Sequence, residues 1–428
     1  MNIIEKKIEW LIAMAVMLTT TYEVIRAALG MLDLRLINGI VTYLNLLLIF
    51  LIFVYQNRHY GRGLIGRPFV VFFVIYCAYI LGDMTIFRKY PLDQLAAIPS
   101  SVFHFFRTFL LSIGYLYCAE TIVHHFSVQK YLIVSVVVCT IPSLWYVQYV
   151  GIEAIQNFEI VKGGDDYLSG LTIGFANAPI FVLCLFFMKT LFHKKILSYI
   201  FTIVVIIVIA YLFLALGKRG PIFWTVVNIF VCFLFITRHK TKKILFFLLI
   251  VVVIAYFNLG SMIDAMKDIA PKTGSRIESS LVEGDTNGRL DFDHPESSTY
   301  LIGINNFVSS PIWGNYFRLI TNYSHFKGTY PHNVFIEVLM TMGILGFVPF
   351  VFLLWKAYFN STSIFRREYT SNQLAFLVLF LSSFLMLQTS RSIVFRMDFW
   401  LPFYILYIMN KLPMEKVSRN KTIEITTV

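Results

Sequence analysis

The sequence predicts an all-α polytopic membrane protein with about twelve spanning helices and one large extracytoplasmic loop. Three observations predict this class. Of 428 residues, 58% are hydrophobic and only 14% are charged, against roughly 25% charged in soluble proteins. Several apolar runs reach about 20 residues, the length of a bilayer-spanning helix. The alternating segments of about ten residues that build a transmembrane β-barrel are missing from the sequence. The net charge of +12 does not mark a nucleic-acid binder, because Lys and Arg sit between apolar runs, where they set orientation. Cys77, Cys118, Cys139, Cys184 and Cys232 all lie inside apolar runs, where a thiol is a small apolar side chain. No disulfide framework, metal site or cofactor is expected.

Hydropathy places the spans near 9–30, 37–55, 68–87, 99–123, 131–150, 169–191, 196–216, 220–237, 243–260, 333–355, 373–390 and 397–411. The first follows Lys6 and Lys7 and lacks a small-residue cleavage site, so it reads as an uncleaved span. The chain thus divides into a nine-span membrane region (1–260), a large extracytoplasmic loop (261–330), a three-span region (331–411) and a basic tail (412–428). With both termini in the cytoplasm, the inner segments are basic. They hold Lys6 and Lys7, Arg58 to Arg67, Lys130, Lys189 to Lys195, Arg238 to Lys243, Lys356 to Arg367, and Lys411 to Lys421. The outer segments gather acids, among them Glu153, Glu159, Asp165 and Asp166.

Two short outer connections break this charge rule. Lys218 and Arg219 lie between spans seven and eight, and Arg391 and Arg396 between spans eleven and twelve. Cations there oppose the usual topology, so either an anionic ligand or lipid phosphates and loop acids favour them. Arg219 has the stronger claim to a ligand. Pro221 suits the first turn of a helix, and Gly217 and Gly220 let backbone approach closely. A guanidinium beside a helix N-terminus is an anion site in miniature.

Span ten repeats this arrangement, with Pro331 and His332 in its expected first turn. Asn333 and Glu337 are four apart and share a helix face. A carboxylate at Glu337, one turn inside the membrane, is costly without a partner. Gly343 and Gly346 suit close packing against a neighbouring helix. His332 is either a helix cap or a base; imidazole titrates near pH 6.5 and can take a proton from a hydroxyl. No helix broken at mid-membrane and no inverted repeat is evident.

Other signals carry less. Gly61-Arg62-Gly63-Leu64-Ile65-Gly66 matches the dinucleotide fingerprint in letters only, because that motif needs a βαβ unit. Asp291-Phe292-Asp293 has the form of a metal–nucleotide pair but faces outward. Glu23 and Arg26 in span one are spaced to pair. Arg107 and Glu120 in span four have no local partner.

Pro331-His332-Asn333-Val334-Phe335-Ile336-Glu337 followed by Met342-Gly343-Ile344-Leu345-Gly346-Phe347 resembles the signature of the O-antigen polymerase/ligase family, which includes Wzy-type polymerases and WaaL-type ligases. Ser310-Pro311-Ile312-Trp313-Gly314-Asn315, Gly217-Lys218-Arg219-Gly220 and Asn287-Gly288-Arg289-Leu290 resemble further elements of that family. Lys218 stands where Ser is common, and Arg276 competes with Arg289 because the spacing to Pro311 is long. The resemblance implies a GT-C-like, metal-independent glycosyltransferase at the outer face of a bacterial cytoplasmic membrane. Its donor would be a glycan on undecaprenyl pyrophosphate, with a chain-length regulator and a flippase as candidate partners alongside the lipid bilayer. It implies His332, Arg219 and Arg289 as catalytic residues. Lys218, Arg276, Arg318, Asn333, Glu337 and Arg391 are candidate substrate-binding residues. The function expected is polymerisation of lipid-linked oligosaccharide repeat units; the rivals are a ligase of the same family and a polysaccharide transporter.

Overall fold

The computed structural model describes residues 3–31, 35–61, 70–72, 74, 75, 78, 111–152, 170–216, 219–237, 264, 267, 275, 278, 299–314, 331, 333–366, 370–388 and 397–409. Among these residues regular structure is helical, with no strand. The helices are α1 (Ile3–Met31), α2 (Arg35–His59), α3 (Ala119–His125), α4 (Val128–Ser135), α5 (Ile141–Val150) and α6 (Gly170–Phe186). They continue with α7 (Lys195–Leu216), α8 (Arg219–Thr237), α9 (Thr299–Ser309), α10 (Val334–Arg366), α11 (Ser371–Met386) and α12 (Met397–Ile408). A π-helical turn, Val136–Thr140, joins α4 to α5 in one rod.

Among the described residues, three helices are long and apolar enough to cross a membrane: Val128–Val150, Lys195–Leu216 and Val334–Thr362. Shorter apolar helices cover Leu171–Phe186, Gly220–Ile236, Ser371–Met386 and Asp398–Ile408. The expected span at 243–260 and most of the one at 68–87 lie outside the described residues. Exposed aromatics mark opposite ends of the bundle. Trp145 and Tyr149 stack near the end of α5, and Trp355, Tyr358 and Phe359 cluster toward the far end of α10. Aromatic girdles of this kind sit at membrane–water interfaces.

Apolar helices gain little from association in lipid, so packing and interhelical hydrogen bonds must hold them. The chain places one polar knot at each junction. Tyr115 donates to the Ala15 carbonyl (2.8 Å) and to Asn45 Oδ1 (2.7 Å), joining the 111–117 segment to α1 and α2. Asn177 on α6 accepts from Thr140 (2.9 Å) and donates to Ser143 (3.0 Å), fixing α6 on the α4–α5 rod. Asn228 on α8 donates to Ser382 (2.7 Å) and to the Val378 carbonyl (3.1 Å) of α11. Glu120, without a partner in its own span, accepts from Gln56 of α2 (3.4 Å). The side chains of Glu23 and Arg26 lie outside the described residues. α12 is apolar around most of its circumference and buried from Phe399 to Ile408, as expected of a central helix.

Helix ends expected on the same membrane face meet one another. Lys130 pairs with Glu9 (2.6 Å), the Tyr60 hydroxyl bonds His125 Nε2 (2.9 Å), and Asn372 donates to the Val123 carbonyl (3.0 Å). Asn360 of α10 bonds the Tyr407 carbonyl of α12 at that end too. At the opposite end, Asn333 and Tyr300 both bond Gln388.

α10 departs from expectation. It is not one straight helix: Gly343 has φ 60° and ψ −160°, and the helix breaks there. At 1.5 Å per residue, the break lies about 14 Å below Val334. Part of the segment assigned to the large loop packs beside this half-helix: α9 followed by the turn Ser310–Gly314. The Ile344 N–H donates to the Pro311 carbonyl (2.9 Å) and the Leu345 N–H to the Ile312 carbonyl (3.4 Å). Gly314, at φ 68°, lies against the backbone of Thr341, Met342 and Gly343. Gly343 therefore serves a backbone break closed by another segment, not side-by-side packing of intact helices. Gly346 lies under its own Met342 side chain.

Gly343→Ala forces a Cβ into the Ile312 carbonyl at a backbone conformation that only glycine adopts readily. Thermal unfolding in detergent should show a loss of more than about 1–3 kcal/mol, the cost of the strained backbone alone. Gly151→Ala, at φ 83° in open space, should cost only that strain. A second expectation concerns His125, which ends α3 beyond the expected span. Burial, then the neighbouring His124, holds its imidazole below the ordinary 6.5, against a smaller opposing pull from Glu5 and Glu9. The unfolded chain then binds more protons just below pH 6.5, so stability is complete above that pH and falls as pH drops through it. Apparent melting temperature between pH 7.5 and 5 should decline, and less so in His125→Gln.

Candidate functional site

The end of the bundle that carries Gln388 holds the described part of the expected site. α10 starts at Val334, and Asn333 is its N-cap. Its Oδ1 accepts from the Phe335 N–H (3.0 Å) and the Ile336 N–H (3.2 Å), satisfying two donors that a helix start leaves open. Pro331 and His332 therefore precede the helix instead of forming its first turn. The Asn333 amide donates to Gln388 Oε1 (3.2 Å). Gln388 in turn donates to the Phe384 carbonyl (3.3 Å) and accepts at its own carbonyl from Tyr300 (3.3 Å). α9, α10 and α11 meet at this one residue.

Glu337 lies one turn further along α10 and is fully buried. Its N–H bonds the Asn333 carbonyl (2.9 Å), and its carbonyl accepts from Thr341 (2.6 Å). A carboxylate in a helix's first turn is favoured by the positive end of the helix dipole. α9 covers this start closely. A Cβ at Gly303 would lie 2.6 Å from Ile336 Cγ2 and 2.9 Å from Pro331 Cγ, so only glycine lets α9 come so near.

α8 supplies the second helix start. It begins at Arg219, with Pro221 inside its first turn. Pro221 is buried against α6, where a Cβ at Gly174 would lie 2.5 Å from the proline ring. Thr225 returns a hydrogen bond to the Pro221 carbonyl (2.6 Å). Two contacts show that α8 and α10 start at the same end of the bundle. Phe235, near the end of α8, packs edge-on against Tyr358, far along α10 (6.2 Å between ring centroids). Asn228, midway along α8, bonds Ser382, short of the Gln388 end of α11.

Asn333 and Glu337 are thus placed together, and the backbone start at Arg219 opens toward the same end. Lys218, Arg276, Arg289, Arg318, His332 and Arg391 lie outside the described residues, as does the Arg219 side chain. Sequence reasoning missed Gln388, the junction of three helices, which carries neither a charge nor a motif. Among the described residues, no group of three or more His, Cys, Asp or Glu is arranged to hold a metal ion. Cys118, Cys139, Cys184 and Cys232 are buried free thiols. No family model matches the chain, and no curated protein is significantly similar to it.

Asn333→Ala removes the cap and the Gln388 contact together and should cost about 1–2 kcal/mol. Asn333→Ser keeps an acceptor oxygen and should recover part of that loss. Apparent melting temperatures of the three proteins in one detergent provide the comparison; equal values for Ala and Ser would refute the capping role.

Proposed function

We propose that this protein is a bacterial polysaccharide polymerase that joins oligosaccharide repeat units carried on undecaprenyl pyrophosphate. The observation that best supports this reading is the meeting of two distant motifs. Ser310-Pro311-Ile312-Trp313-Gly314 and Met342-Gly343-Ile344-Leu345-Gly346, both drawn from the resemblance to the O-antigen polymerase/ligase family, interlock through the Pro311 and Ile312 carbonyls. The starts of α8 and α10 also open at one end of the bundle, as a shared site for Arg219 and His332 requires. The pattern of Lys and Arg assigns that end to the outside of the cytoplasmic membrane, with both termini inside.

In this mechanism a hydroxyl of the acceptor unit attacks the anomeric carbon of the donor. The bond from that carbon to the pyrophosphate oxygen breaks, and the electron pair leaves with undecaprenyl pyrophosphate. His332 takes the hydroxyl proton, with Glu337 or Asn333 orienting the ring. Arg219, supported by Arg289, offsets the charge growing on the leaving group. Lys218, Arg276, Arg318 and Arg391 hold the glycan and the phosphates. The 261–330 segment keeps water, a competing acceptor, away from the donor. No metal or cofactor enters any step.

One observation favours a second reading. Transporters use helices broken at mid-membrane, where unwound backbone binds the solute, and α10 is broken at Gly343. In this break, however, the Ile344 and Leu345 N–H groups are bonded to Pro311 and Ile312, so these donors do not face a passing solute. The break reads as an internal joint, and the polymerase reading stands. The ligase reading differs only in its acceptor.

The test is a reconstituted assay with a defined lipid-linked repeat unit. His332→Ala should lower polymer formation by about 10²–10⁴-fold, the usual worth of a general base. Arg219→Ala should lower it strongly and Arg219→Lys partly, because a point charge replaces the planar fork. Unchanged polymer from His332→Ala removes that residue from the chemistry. Long lipid-linked polymer accumulating in cells that lack the protein would indicate the ligase.

A further inference from the structure

The turn between α6 and α7 concentrates positive charge. Lys189, Lys194 and Lys195 lie within seven residues, and all three side chains are exposed. No Asp or Glu occurs anywhere from 170 to 216. Among the described residues no acid pairs with any of the three, whereas Lys130 and Lys267 are paired with Glu9 and Glu278. Lys195 is also the first residue of α7, whose first turn holds no acid. A cation at a helix N-terminus meets the positive end of the dipole. The chain thus gathers cations where its own structure opposes them.

The turn is tied to α7. Ser198 Oγ accepts from the Leu191 N–H (3.0 Å) and the Phe192 N–H (3.3 Å), and Phe192 packs edge-on against Phe201 (5.4 Å between ring centroids). It stands at the opposite end of the bundle from the candidate site. α6 passes Pro221 of α8 at Gly174, and its last residue, Phe186, lies about 18 Å further along the axis. An apolar track continues from the lysines along α7. Ile196 (76% exposed), Ile200 (56%), Ile203 (44%) and Ile207 (61%) recur at helical spacing. They cover about 17 Å, close to the depth of one leaflet of a roughly 30 Å hydrocarbon core. We propose that this turn and this face of α7 bind an anionic phospholipid, with its phosphate among the three lysines and an acyl chain along the isoleucines. Lysine stems are long and apolar, so their ammonium groups reach the headgroup level from a helix end. Attraction to an anionic membrane surface accumulates with each lysine near it. A zwitterionic headgroup brings its own ammonium and fits this cluster less well. The surface is separate from the candidate site and does not depend on the reaction proposed there.

The test is native mass spectrometry of the full chain in detergent. It is titrated with a phosphatidylglycerol, with a phosphatidylcholine of the same acyl chains, and with inorganic phosphate. Wild type should bind its first phosphatidylglycerol about tenfold or more tightly than phosphatidylcholine. Lys189→Gln/Lys194→Gln/Lys195→Gln should lose that preference, and Lys189→Arg/Lys194→Arg/Lys195→Arg should keep it. Lys6→Gln/Lys7→Gln/Lys356→Gln removes the same charge from other positions expected on that membrane face and should leave the preference unchanged. Equal losses in the two Gln variants would show general attraction to a basic face and overturn the surface. A wild type without preference overturns it too, as does a loss shared by the Gln and Arg variants of the turn. Binding of inorganic phosphate that needs the three lysines, with no preference for phosphatidylglycerol, makes the turn a site for free anions and overturns the lipid assignment.

Discussion

The contact between Gly314 and Gly343 is the constraint on which this end of the molecule depends. Backbone donors at membrane depth have no water to turn to, so a helix cannot break there unless other protein atoms accept them. The carbonyls of Pro311 and Ile312 meet that need at Ile344 and Leu345. They can do so only because neither Gly314 nor Gly343 has a side chain; a Cβ on Gly314 would lie 2.5 Å from the Gly343 nitrogen. With this joint closed, the position of α9 follows. Its Gly303 seats on Pro331 and its Tyr300 reaches Gln388. The candidate site is thus fixed from below, through a contact about 14 Å deeper in the bundle.

The rest of the bundle follows a different logic. Its helices are apolar on their outer faces, as at Ile196, Ile200 and Ile207 of α7, so burial of apolar area distinguishes poorly between one helix pairing and another in lipid. Single polar side chains supply the choice. Asn177, Asn228 and Tyr115 each carry a group that is expensive to leave unbonded in hydrocarbon, and each has its partners on a different helix. A rotation of α8 by one residue, about 100°, would turn Asn228 away from Ser382 and the Val378 carbonyl. Register and site geometry are in this way set by the same few hydrogen bonds.

Much of this architecture was legible in the sequence. Apolar runs placed α7 and α8 almost to the residue, because a span of about 20 apolar residues is a strong signal. Charge alternation grouped the helix ends into two sets, and within those sets Lys130 meets Glu9 and Asn333 meets Gln388. The break at Gly343 was not legible. Periodicity runs unbroken from Val334 to Leu354, and a glycine in such a run reads equally well as a packing contact. The polar character of 261–330 concealed α9, whose 11 residues are too short to register as a span.

The hydrogen bonds of Asn333 sharpen the proposed chemistry. Its Oδ1 has two acceptor positions, and the Phe335 and Ile336 N–H groups take both. Its amide can only donate, and one hydrogen already goes to Gln388. An imidazole that is to act as a base at one nitrogen carries a proton on the other, and the group that orients it must accept that proton's hydrogen bond. Asn333 cannot do so while it caps α10. Of the two residues proposed to orient His332, Glu337 is then the one whose side chain has an oxygen that could accept. Asn333 serves otherwise, by fixing where α10 begins and tying that start to Gln388.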